Sequence, residues 1–154
     1  MDSKQEIKEL KEQLVYYEKL IKNMSAPIIP SIVPKTILVP IAGFIFTDRF
    51  DMIRTKVLQY AEKQRETERV IFDFTGVTTD DFAEFDYDGL GCELSQLNSA
   101  LGLMGLRAIY VGFNPLFVRE IVRAGIQVEL EVYTTFKVAL EQLLTENKKS
   151  SAKL

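Results

Sequence analysis

The chain has 154 residues, 27% charged and 47% hydrophobic, with a net charge of −3 and no histidine. That length can bury one sizeable core, and the charge balance gives no electrostatic reason to expect nucleic acid or an anionic membrane surface as a partner. Without histidine the commonest general base, the commonest zinc ligand and every Ser-His or Cys-His nucleophile are gone, leaving carboxylates and lysine as the candidates for catalysis.

The opening "MDSKQEIKELKEQ" carries both signs of charge, unlike a secretory signal, so the cytoplasm is the expected compartment. Ile7, Leu10, Leu14, Tyr17, Ile21 and Met24 follow the alternating three-four spacing of a coiled-coil seam, which predicts a helix over residues 1–24. So short a helix is marginal alone, so its stripe needs a mate. A parallel homodimer satisfies it; the other possibility is a helix folded back on its own domain. About 24 residues leave no room for a sensor fold ahead of the domain in this chain.

Four prolines between Pro27 and Pro40 stop the helix. "IIPSIV" and "TILVPIAG" read as a strand pair turning at Pro34-Lys35, with Pro30 and Pro40 where the ladder needs no amide. The longest apolar run, "ILVPIAGFIF", is half what a membrane crossing needs, so no membrane is expected. Phe50, Ile53, Val57 and Tyr60 or Ala61 then share one helical face. "RVIFDF" is a buried strand closed by Asp73, which reads as a loop-anchoring acceptor.

A helix with Leu94, Leu97, Leu101 and Met104 at four-three spacing follows, with Gly102 for close packing and Gly105 as its stop. Cys92 reads as a small core or near-core residue; as the lone cysteine it cannot form an intrachain disulfide. "RAIYVGF" is another strand. "NPLFVREIVRAG" is a helix with Asn114 as cap, Pro115 first and Gly125 last. "EVYTTFKVALEQLL" supplies a final strand and helix, and the polar tail is expected to fray.

Between the third strand and the Leu94 helix lies "DDFAEFDYDG", five carboxylates in ten residues. Glu84, Asp86, Asp88 and Gly89 fit an EF-hand loop, but Ser95 stands where its bidentate glutamate belongs, so no metal is expected. Carboxylates on one loop lack the fixed separation that acid–base pairs need, so none is assigned as catalytic. Phe82, Phe85 and Tyr87 alternate with the acids, which allows the rings to anchor and the charges to face out. No phosphate-binding loop is present, and "GLG" at 89–91 lacks the rest of a dinucleotide fingerprint, so no cofactor is expected.

"SAPIIPSI", "PIAGFIFTDR", "VIFDFTGV", "LMGLRAIYVGFNP" and "VRAGIQVE" occur in that order. Over Met24 to Leu144 the chain resembles the STAS domains (sulphate transporter and anti-sigma factor antagonist), in particular the C-terminal half of stressosome scaffold proteins of the RsbR type. The resemblance implies an α/β fold: a mixed four- to five-stranded sheet with about four helices packed on it, behind the N-terminal helix. It divides the chain into the helix 1–24, a STAS domain 25–146 and a flexible tail 147–154. It also implies a non-catalytic regulator that joins paralogous STAS proteins in cytoplasmic assemblies, holds a serine/threonine switch kinase and is phosphorylated by it.

Thr47 of "GFIFTDR" matches one phosphoacceptor of that family, just before its helix, where it would also serve as N-cap; Asp48 and Arg49 beside it are expected to meet the partner. The second acceptor does not carry over, because the loop is about six residues longer than the family pattern. Counted forward from Gly76 its position holds Phe82; counted back from Gly105 it holds Asp88. With Asp86 and Gly89, Asp88 would present a fixed charge to the partner where relatives gain phosphate, or would simply cap the helix. Two alternatives stay open: a stand-alone anti-sigma factor antagonist, and a STAS domain binding a lipid or nucleotide in the sheet–helix crevice.

Overall fold

In the computed structural model of the chain, residues 2–24, 27–123 and 129–152 are described, the side chains of 21–24 and 150–152 excepted. Five strands form one mixed sheet in the order β1-β2-β3-β4-β5. β1 (Ile29–Pro30) runs antiparallel to β2 (Thr36–Ala42), with Lys35 at φ 61° in the turn. The amide of Ser31 donates to the carbonyl of Thr36, so by alternation the even-numbered residues of β2 aim their backbone groups toward β1. Pro40 has that parity and lies beyond the two residues of β1, so its missing amide costs no ladder bond.

β2, β3 (Arg69–Gly76), β4 (Arg107–Val111) and β5 (Glu131–Tyr133) are consecutive and parallel. The crossovers carry α2 (Arg49–Lys63), α3 (Tyr87–Leu103) and α4 (Pro115–Arg123). All step in one direction, so right-handed connections put the three helices on one face. Val70, Phe72, Phe74, Ala108 and Tyr110 meet Ile53, Val57, Leu94, Leu97, Leu101 and Phe117 there. Ile71, Ile109 and Val111, of opposite parity, point to the other face under Ala139 and Leu143 of α5 (Phe136–Ala152). Cover on both faces is why these strands read as unbroken apolar runs.

Asn114 caps α4 as expected, its Oδ1 accepting from the Leu116 amide at 2.9 Å; Gly125, the expected stop, lies outside the described residues. Gly105, at φ 73°, ends α3. Gly102 does not provide the close approach expected of it, since a Cβ there would meet nothing within 4 Å. Cys92 is exposed rather than near-core, because its turn of α3 buries Gly91 and Leu94 instead. Residues 147–152, expected to fray, continue α5.

α1 (Ser3–Met24) does not lie back on the domain: its side chains from Ser3 to Leu20 are all exposed, including Ile7, Leu10, Leu14 and Tyr17. The side chains of Ile21 and Met24, the rest of the stripe, lie outside the described set.

Arg107 ties α5 to the sheet. Its guanidinium donates to Glu131 at 2.8 and 2.5 Å and to Glu146 at 2.8 and 3.1 Å. The hydrogen bonds from Arg107 hold the Glu146 carboxyl down to about 2, against an ordinary value of 4.5. A depressed carboxylate stabilises the fold above its unfolded value, and the contribution fades as pH falls from about 4.5 toward 2. Because the groups are partly exposed, the Arg107→Ala loss at pH 7 is set at about 1 kcal/mol. Thermal melts should show that loss shrinking steadily below pH 4.5; a gap unchanged down to pH 2.5 would exclude the ion pairs as its source.

Candidate phosphoacceptor and partner-binding face

Parallel strands bring the β2–α2 loop and the β3–α3 loop to the same edge of the sheet. The second loop opens on a short anchor: Asp73 Oδ1 accepts from the amide and hydroxyl of Thr75 at 2.9 and 2.5 Å, the role read for it in the sequence. A 3-10 turn, Thr79–Phe82, follows, with the Thr78 amide donating to Asp81 at 2.8 Å. Rings then point in and charges out. Phe82 is buried, stacked on Phe117 at 5.1 Å and near Phe74 at 6.5 Å; Phe85 meets Phe50 edge-on at 5.8 Å. Asp80, Glu84, Asp86 and Asp88 are exposed.

The cap of α3 is Asp86, not Asp88: its Oδ1 accepts from the Gly89 amide at 2.6 Å. Of the two neighbouring aspartates, only Asp86 has the extended backbone that aims a side chain back over the first turn (φ −85°, ψ 171°). Asp88 sits exposed in that turn, where the helix dipole favours its charge. Gly89 leaves room for this cap, since a Cβ there would come within 2.8 Å of the Asp86 carboxylate.

Thr47 is exposed but is not the cap of α2; that position belongs to Asp48, whose side chain makes no capping bond. Both the amide and the hydroxyl of Thr47 are directed elsewhere, to one oxygen of Glu84 at 2.8 and 2.9 Å. The two loops are also joined by the Ile45 amide, which donates to the Asp81 carbonyl at 2.8 Å. Arg49, expected at the partner surface, is buried at 6% exposure. Its guanidinium donates to the carbonyls of Phe44 and Gly43 at 2.8 and 3.3 Å, so it shapes the loop from within. Burial pushes its pKa down, with Asp81 opposing the shift.

Thr47 and Asp48 therefore share an exposed edge with Glu84 of the acidic loop. Acids continue down the adjoining helices: burial and then Asp51 of α2 push the Glu93 carboxyl of α3 up, while Arg54 pairs with Asp51.

Comparison with known proteins places the fold. No family model matches the chain. The RsbT co-antagonist protein RsbRB of Bacillus subtilis is 30% identical over 116 residues, 75% of this chain and 39% of that protein. A single-residue variant of RsbS from Moorella thermoacetica superposes with a TM-score of 0.61 at 13% identity, over 80% of this chain and 97% of its own. The fold is that of a STAS domain, and the chain resembles the RsbR type. The Bacillus cell fate determinant SpoIIAA, solved in its phosphorylated form, shares this STAS fold with a TM-score of 0.51 at 16% identity, over 77% of this chain and 98% of its own.

The crevice between the β3–α3 loop and the start of α4 is filled by rings. Phe74, Phe82, Phe113 and Phe117 leave a space of about 10 Å³, enough for one water. An apolar cleft of about 120 Å³ between α3, α4 and β5 is smaller than the several hundred Å³ of ordinary ligand sites. The EF-hand pattern does not assemble either, because Glu84 turns to Thr47 and Asp86 to Gly89. Among the described residues no three candidate ligands converge on one point, and no helix is long and apolar enough to cross a membrane.

Glu84 is the residue that sequence reading missed. Its partner is 37 positions away, and the available signal was only that the loop is long.

Proposed function

We propose that this STAS domain is a non-catalytic, cytoplasmic partner-switching regulator. It binds a serine/threonine switch kinase and paralogous STAS proteins, and it is controlled by phosphorylation of Thr47. The observation that carries the reading is an exposed hydroxyl at the entrance to α2, beside an edge of exposed carboxylates. The match to a co-antagonist protein supports it, although the chain spans only 39% of that relative.

Asp86 and Asp88 supply fixed charge in place of a second phosphosite, with Asp48 on the opposite loop. The chain pairs with a second copy through α1. In a parallel pair Ile7, Leu14 and Ile21 alternate with Leu10, Tyr17 and Met24 along the seam. Glu6 of one helix then lies beside Lys11 of the other, twice per dimer, which favours the parallel register.

One experiment tests both parts: light scattering and intact mass on the full chain, before and after treatment with a purified switch kinase and ATP. The free chain is expected at twice its monomer mass, and it should gain one phosphate that Thr47→Ala abolishes. Phosphate appearing undiminished in Thr47→Ala would overturn the assignment of Thr47, and a monomeric mass would overturn the pairing.

A further inference from the structure

We infer that Glu84 is an intramolecular latch on Thr47, so that the closed acidic loop and a phosphate on Thr47 exclude each other. The inference rests on Thr47 being the phosphoacceptor, and it adds what controls that site. One carboxylate oxygen of Glu84 accepts from both the Thr47 amide and the Thr47 hydroxyl, at 2.8 and 2.9 Å.

Phosphorylation rewrites that contact. The γ-phosphoryl group of a kinase-bound nucleoside triphosphate forms a bond to Oγ1, the bond to the diphosphate leaving group breaks, and the hydroxyl proton passes to the base of the kinase. Thr47 thereby loses the hydroxyl hydrogen, one of the two that Glu84 accepts, and keeps only the amide. It also gains between one and two negative charges, roughly, within bonding distance of a carboxylate. The α2 entrance offers the phosphate another seat, since the Asp48 side chain makes no capping bond there.

The loop is built so that this displacement stays local. Phe82 is held in the core on one side of Glu84, and Asp86 is held by its cap on the other. The span between them is bound to the α2 side by the Glu84–Thr47 contact at the helix entrance and by the packing of Phe85 edge-on against Phe50. Coupling is reciprocal: a phosphate that opens the loop is a phosphate that the closed loop disfavours.

The decisive test needs no kinase. Hydrogen exchange on the full chain is compared for wild type, Thr47→Glu, Thr47→Gln and the double variant Thr47→Glu/Glu84→Lys, with the amides of β3 as the internal measure of folding. Thr47→Glu should speed exchange across residues 83–88 at least tenfold relative to Thr47→Gln, and Glu84→Lys should restore protection by reversing the charge. Equal exchange in Thr47→Glu and Thr47→Gln, with β3 intact, would sink the latch. A second arm uses the kinase: Glu84→Ala should take phosphate severalfold faster than wild type, and equal rates would also count against it. If neither protein takes phosphate, the phosphoacceptor reading fails, while the exchange comparison still decides the contact.

Discussion

Phe82→Ala is expected to destabilise the domain by about 3 kcal/mol and to free the acidic loop along its length. The ring is 8% exposed and stacks on Phe117. Removing it leaves a gap beside a space already water-sized, which neighbouring rings can only partly close. The functional consequence is sharper than the stability loss. Phe82 is the fixed point from which Ala83, Glu84 and Phe85 reach toward α2, so its loss should weaken the Thr47–Glu84 contact without touching either residue. Urea unfolding gives the first quantity, and hydrogen exchange at residues 79–88 the second. A cost below 1 kcal/mol would mean that the ring is a passenger and that the loop is positioned by its polar contacts alone.

The same residue shows how far the sequence could be read. Phe82 falls where a forward count places a phosphoacceptor in relatives, and its alternation with acids suggested an anchor; its stacking on Phe117 bears that out. Strands, crossover helices and core stripes were legible because burial imposes a period, and Phe50, Ile53 and Val57 or Leu94, Leu97 and Leu101 display it directly.

What periodicity could not give was the choice between adjacent residues of the same chemistry. Thr47 and Asp48, like Asp86 and Asp88, all suit a helix start, and backbone angles set by the loop decide between them. Arg49 was expected at the surface because it stands beside Thr47 in the segment that resembles the family. Its carbonyl partners lie on a bend of Gly43 and Phe44 whose path no pattern encodes. The Thr47–Glu84 contact follows from two loops ending on neighbouring parallel strands, so it becomes visible only once the sheet order is known.

That shared edge depends on one glycine, and Gly112→Ala should cost about 3 kcal/mol or more. Gly112 closes β4 at φ 79°, a conformation that strains any residue with a Cβ. An added Cβ would also collide with the Thr75 hydroxyl oxygen and come within 2.5 Å of the Thr75 amide nitrogen, both already committed to Asp73. The hydroxyl can rotate away, but the amide nitrogen can clear the Cβ only if β3 moves. Because Thr75 lies at the end of β3, before the loop that carries Phe82 and Glu84, that shift should reach the Thr47 contact as faster exchange at residues 79–88. Gly102→Ala is the matched control: it lies in α3 with nothing within 4 Å of the new Cβ, so the same substitution should stabilise by up to about 1 kcal/mol. Opposite signs in paired urea titrations are the expected outcome; losses of equal size would mean that helix and strand-end glycines are here for a reason other than backbone conformation and space.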